Sequence, residues 1–112
     1  DHAKLLTIID GDILDVILDL RKSSKTYLKY TIIQASKKEQ KSVYIPRGCA
    51  HGFLALSDVA TTHYLVTTEY YPENDQGIRF DSFGFTWPVK DPILSERDKT
   101  LPLLKDFNSP FD

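Results

Sequence analysis

The sequence predicts an all-β fold, a sandwich or barrel of short strands, and three observations predict it. Short apolar runs recur at intervals of roughly 8–12 residues and are separated by turn signals. Six Phe, six Tyr and one Trp stand among many Ile and Val, residue types that suit pleated, half-buried surfaces. No long stretch carries a helical period to compete with them.

The elements follow in order. Residues 4–9 are the first expected strand. Asp10-Gly11 comes next, and Asp-Gly between two apolar runs predicts a hairpin. Residues 12–20 are the second strand. Its even positions, Leu14, Val16, Leu18 and Leu20, are expected to face a core. Its odd positions, Ile13, Asp15, Ile17 and Asp19, mix carboxylates with isoleucines, as a face lining a semi-polar cavity would. A polar turn at 21–24 leads to a third strand over 27–34 and a charged loop over 37–42. Residues 43–46 make a short fourth strand ended by Pro46, which cannot donate to a ladder. Arg47-Gly48 turns the chain into a fifth strand over 50–56, and Ser57-Asp58 turns it into a sixth over 61–71. A loop spans 72–77, a brief strand 78–80, and an aromatic segment 83–87 is expected to pack the exterior or one end. Ser95 is placed to cap a short helical turn, and Leu103, Leu104 and Phe107 anchor the tail.

Composition bounds the function. The chain has 112 residues, 41% hydrophobic and 27% charged, enough for one domain with a modest core. Fourteen basic against sixteen acidic residues give a net charge of −2, which argues against a nucleic-acid surface or a polybasic membrane anchor. No apolar run approaches the ~20 residues of a transmembrane helix. A single cysteine, Cys49, cannot form an internal disulfide, so a reducing cytoplasm is the expected location. The chain opens on Asp1 and reaches strand pattern almost at once, so a single domain over 1–112, truncated at its N-terminus, is expected.

Chemistry concentrates in a few places. In Pro46-Arg47-Gly48-Cys49-Ala50-His51-Gly52-Phe53 a Pro-x-Gly turn fixes entry into a strand, and His51 follows three residues after the glycine, aimed at one face. That spacing favours a cavity-facing histidine over a structural one. Only His2, His51 and His63 are present, with no His-x-His pair, so no metal site is expected. Tyr64 and Tyr70 stand at even spacing and are expected to share a strand face with Thr62, Val66 and Thr68, either as core tyrosines or as buried acids. Lys4 is either an exposed edge residue or a cavity ammonium that stabilises an oxyanion or phosphate, held there by Asp15 or Asp19. Asp98 stands at a helix start, where a carboxylate meets the dipole. Cys49 is expected to point away from His51, which disfavours a Cys–His nucleophile.

These segments together resemble the dTDP-4-dehydrorhamnose 3,5-epimerases, which are jelly-roll cupins. The resemblance runs through Lys4-Leu5-Leu6, residues 12–21, residues 23–27, residues 45–56 and residues 64–72. It continues in Gly77-Ile78-Arg79, Thr86-Trp87-Pro88 and the closing Pro92-Ile93-Leu94-Ser95-Glu96-Arg97-Asp98. It implies a cupin-type jelly-roll barrel with a short C-terminal helical turn. It also implies proton abstraction beside the ketone of a nucleotide-linked 4-keto-6-deoxy sugar, an enolate, and reprotonation on the opposite face at C3, C5 or both.

Residue by residue, the resemblance makes Lys4 the enolate-stabilising lysine, Tyr64 the acid and Asp98 the aspartate of a His–Asp base. His51, Tyr70 and Arg97 become substrate contacts, as does Asp75, which stands where the family usually carries Glu. It implies no metal or organic cofactor and a homodimer. The family's base histidine lies in an Arg-Gly-Leu-His segment upstream of the lysine, so the chain as given is expected to be a poor catalyst or none. The alternatives are a non-catalytic cupin module that binds a sugar nucleotide or a partner, and a related cupin ketoisomerase.

Overall fold

The computed structural model describes residues 1–112 and contains six strands: β1 (Lys4–Asp10), β2 (Asp12–Asp19), β3 (Tyr30–Ser36), β4 (Ser42–Ile45), β5 (Cys49–Ala55) and β6 (Thr61–Val66). A single turn of helix, α1 (Glu96–Lys99), follows, with 3₁₀ turns at Pro72–Asn74 and Leu104–Asp106. The all-β expectation and the C-terminal helical turn both hold. No helix is long and apolar enough to cross a membrane. The chain divides into two compact units, Asp1–Glu69 with Pro110–Asp112, and Tyr70–Ser109.

All six strands belong to the first unit. They form two antiparallel three-stranded sheets, ordered β4–β1–β6 and β3–β2–β5. Between the sheets lies an apolar core of Leu6, Ile8, Val43 and Ile45 from one and Ile13 and Ala35 from the other, all 5% exposed or less. Period-two alternation explains why β1 supplies Leu6 and Ile8 while Leu5 and Ile9 point outward.

Asp10-Gly11 does not close a hairpin, because β1 and β2 lie in different sheets. Gly11 carries the chain from one sheet to the other through a single residue at φ +79°. A Cβ there would sit 2.2 Å from the Val59 carbonyl oxygen, and the register shifts between Ile8 and Asp10. A bulge beside a left-handed glycine is how a strand turns such a corner.

The faces of β2 also differ from expectation. Ile13 sits in the core between the sheets and Ile17 packs against it, so the odd face is the inner one, carboxylates included. Val16 and Leu18 on the even face are equally buried, each 2% exposed. With both faces covered, apolar alternation cannot say which one is inside.

The third strand begins at Tyr30 rather than residue 27, because residues 21–29 wrap around one carboxylate. Asp19 accepts from the Arg21 backbone N–H (2.9 Å), from Arg21 Nε (2.9 Å) and Nη2 (3.0 Å), from Ser24 Oγ (2.6 Å) and from Thr26 Oγ1 (2.5 Å). Leu28, at φ +65°, ends the wrap. The guanidinium and the two hydroxyls hold the Asp19 carboxyl well below the ordinary carboxylate range, against the opposing effect of burial.

The sixth strand stops at Val66 instead of residue 71. Its partner β1 gives out at Lys4, opposite Val66. The last cross-links are Thr67 N–H to the Ala3 carbonyl (3.2 Å) and Ala3 N–H to Thr67 Oγ1 (3.0 Å).

The second unit holds no strand, so the brief one expected at 78–80 is absent. Arg79 N–H instead bonds the Pro102 carbonyl at 2.8 Å. Trp87 donates from Nε1 to the Phe80 carbonyl at 2.8 Å and meets Phe80 and Phe85 edge-on. Ser95 caps α1 as expected, its Oγ accepting from Asp98 N–H at 3.1 Å.

Candidate functional site

Lys4 lies on the inner face of β1, the face of Leu6 and Ile8. Antiparallel pairing sets Leu6 opposite Tyr64 and Lys4 opposite Val66. Tyr64 therefore shares that inner face as the diagonal neighbour of Lys4, a spacing long side chains can bridge. The ammonium reaches over the ring, 5.3 Å from its centroid, within cation–π range. Lys4 is thus not an outward edge residue, and neither Asp15 nor Asp19 holds it. Asp19 is committed to the 21–29 wrap and Asp15 to a histidine.

That histidine is His51. Gly48, at φ +80°, makes the turn before β5, and Leu20 N–H bonds its carbonyl at 3.0 Å. A Cβ on Gly48 would lie 2.5 Å from Arg21 Cγ, so only glycine fits. The turn delivers β5 in a register that pairs Ile17 with His51 and Asp15 with Phe53. His51 therefore faces inward, as its spacing from the glycine predicts, and its Nδ1 lies 3.3 Å from Asp15 Oδ1. Asp15 was missed as a site residue in the sequence, although its place among isoleucines on β2 marked an unusual carboxylate.

Cys49 pairs with Asp19 where His51 pairs with Ile17, so the two share a face, contrary to expectation. They are two residues apart, not adjacent. A Cys–His nucleophile fails for other reasons. Two strand positions on one face stand roughly 7 Å apart, and burial pushes the Cys49 thiol up, which favours the unreactive protonated form.

The remaining expected site residues belong to the second unit. Tyr70 lies beyond β6 and is 73% exposed, so it shares no strand face with Tyr64. Arg97 links two carboxylates, with Nη2 3.3 Å from Asp75 and Nη1 3.4 Å from Asp98. All three are substantially exposed, so these contacts are soft and leave the groups able to meet a ligand. No group of three or more His, Cys, Asp or Glu side chains is placed to hold a metal ion.

The family model of dTDP-4-dehydrorhamnose 3,5-epimerase matches residues 1–106. A protein of that name from Methanothermobacter thermautotrophicus is 44% identical over 110 residues, covering 94% of this chain and 60% of the relative. The crystal structure of the Bacillus anthracis dTDP-4-dehydrorhamnose 3,5-epimerase with TDP and pyrophosphate bound superposes with a TM-score of 0.90 at 36% identity, over 92% of this chain and 60% of that one. A Legionella pneumophila 3,5-epimerase in complex with dTDP-4-keto-L-rhamnose gives a TM-score of 0.89 at 29% identity, over 96% and 58%. The chain therefore spans about three-fifths of the length of these relatives. The two facing antiparallel sheets are the cupin-type jelly roll expected from the sequence, shared with these solved structures. By this match across nearly all of its residues, the chain belongs to the dTDP-4-dehydrorhamnose 3,5-epimerase family.

Proposed function

We propose that the inner faces of the two sheets bind a nucleotide-linked 4-keto-6-deoxy sugar of the dTDP-rhamnose type, and that the protein inverts it at C3, C5 or both. A proton on carbon beside a ketone is acidic because the resulting carbanion delocalises onto the ketone oxygen. A base removes that proton, the C4 oxygen takes up negative charge, and an acid returns a proton to the opposite face of the same carbon. Bonds and charge balance without a redox partner.

The observation that carries this reading is the approach of Lys4 to Tyr64, 5.3 Å from ammonium to ring centroid on one inward face. The ammonium supplies fixed positive charge where the enolate oxygen develops. The phenol beside it supplies the returning proton. Asp98, with Arg97 against it, serves as the aspartate of the His–Asp base, whose histidine the family carries in the Arg-Gly-Leu-His segment upstream of the lysine. His51, Tyr70, Arg97 and Asp75 contact the substrate. We further propose a homodimer working in the cytoplasm. A non-catalytic binding module is the weaker reading, because storage or recognition alone would not call for a paired ammonium and phenol.

The test is solvent deuterium entering C3 or C5 of the dTDP-linked 4-keto-6-deoxy sugar in D₂O, with protein at stoichiometric concentration so that slow exchange registers. Slow uptake, as befits a poor catalyst, that Tyr64→Phe and Lys4→Met each depress further is the expected result. Tight binding without uptake at either carbon would replace the epimerase reading with the binding module.

A further inference from the structure

Asp15 has no exposed surface at all. Its strand neighbours across the sheet are Ile33 and Phe53, and Ile13 and Ile17 flank it along its own face. One carboxylate oxygen, Oδ1, lies 3.3 Å from His51 Nδ1, and the other, Oδ2, is buried with no partner. A carboxylate in such apolar surroundings is costly to bury, and an aliphatic side chain would fill the position without that cost. The register sets two polar residues diagonal to it, Thr31 on β3 and His51 on β5, and the imidazole is the one within hydrogen-bonding distance of the carboxylate.

We infer that Asp15 is a positioning residue, which holds His51 as the Nδ1–H tautomer and so offers Nε2 to whatever occupies the space between the sheets. A carboxylate can only accept, so the nitrogen facing it must donate. In the neutral ring this leaves Nε2 as a bare acceptor, suited to a ligand hydroxyl. The ring nitrogen presented to a ligand is set by the hydrogen bond that the other one makes. His51 is 12% exposed at its side chain, so part of the ring is open to a ligand, while the Asp15 carboxylate beside it is fully buried. Swapping the tautomer would turn an acceptor into a donor at the same place, without moving an atom of the backbone. The inference deepens the proposed function, and its use in catalysis rests on that reading. The tautomer itself does not.

Nitrogen-15 NMR of histidine-labelled protein without ligand, at a pH where the His51 ring is neutral, reads the tautomer directly. The native protein is expected to show a protonated Nδ1 and a bare Nε2. Asp15→Asn keeps an acceptor oxygen at the same place and is expected to keep that pattern. Asp15→Leu removes the acceptor and is expected to shift the ring to Nε2–H. A native spectrum with the proton on Nε2 overturns the inference, and so does an Nδ1–H signal that survives in Asp15→Leu. Should Asp15→Leu fail to fold, the native and Asp15→Asn spectra still decide. Because no substrate is present, failure here is distinct from an absence of deuterium exchange.

Discussion

Lys4 and Tyr64 are diagonal neighbours across the β1–β6 ladder, and the ammonium lies 5.3 Å from the centre of the phenol ring. Period-two alternation aims both side chains inward, and the register sets their separation. Tyr64 is 49% exposed, so the pair is open to a ligand as well as joined to the protein. An open cation–π contact stabilises by only about 0.5–1 kcal/mol. Lys4→Met is therefore expected to leave the urea midpoint nearly unchanged while lowering deuterium exchange by roughly 10²-fold or more, the usual weight of one oxyanion-stabilising group. Equal losses of stability and exchange would mean that the lysine is structural.

Asp19 should govern the acid limb of stability. Its folded-state pKa is depressed below the ordinary value of 3.8, chiefly by Arg21. A group depressed on folding stabilises fully above its unfolded pKa and loses that contribution as pH falls through the folded value. Stability is thus expected to decline as pH drops below about 4, and Asp19→Asn should flatten that decline while costing about 2–4 kcal/mol at neutral pH. Urea titrations from pH 7 down to pH 3 on both proteins check this. The Asp81 carboxyl is also lowered, by Arg79, but both side chains are well exposed, so its share is small.

Gly11→Ala is expected to destabilise by about 2 kcal/mol or more. The new methyl would meet the Val59 carbonyl at 2.2 Å in a backbone conformation that side chains avoid. The urea midpoint of the variant measures the loss. An unchanged midpoint would show that β1 and β2 join in some other way.

Cys49 is expected to react with a thiol probe more slowly than an exposed cysteine at pH 7, with a rate that climbs steeply at alkaline pH. Burial raises the thiol, and nearby Arg21 offsets this only in part. A labelling time course across pH values checks it.

Much of this was legible in the residues. The β1, β2, β4 and β5 boundaries fall within a residue of those read from apolar runs and turn signals, and Ser95 announced α1. The inward aim of His51 followed from the turn before it. What stayed hidden depends on which strand lies beside which. Asp10-Gly11 carries the local chemistry of a hairpin, yet the strands it joins pair with others. The alternating residues after Val66 suit a strand but have no neighbour to pair with. The Asp15–His51 contact joins diagonal positions 36 residues apart in the chain, so only the β2–β5 register reveals it. The wrap around Asp19 was hidden likewise, since five donors converging on one carboxylate leave no periodic trace.

The most direct measurement is a crystal structure of the protein with a dTDP-linked 4-keto-6-deoxy sugar. The account predicts the sugar ring between the two sheets, its C4 oxygen within hydrogen-bonding reach, about 3 Å, of Lys4 Nζ, and the Tyr64 hydroxyl over C3 or C5. A sugar bound elsewhere on the surface, out of reach of both side chains, would contradict it.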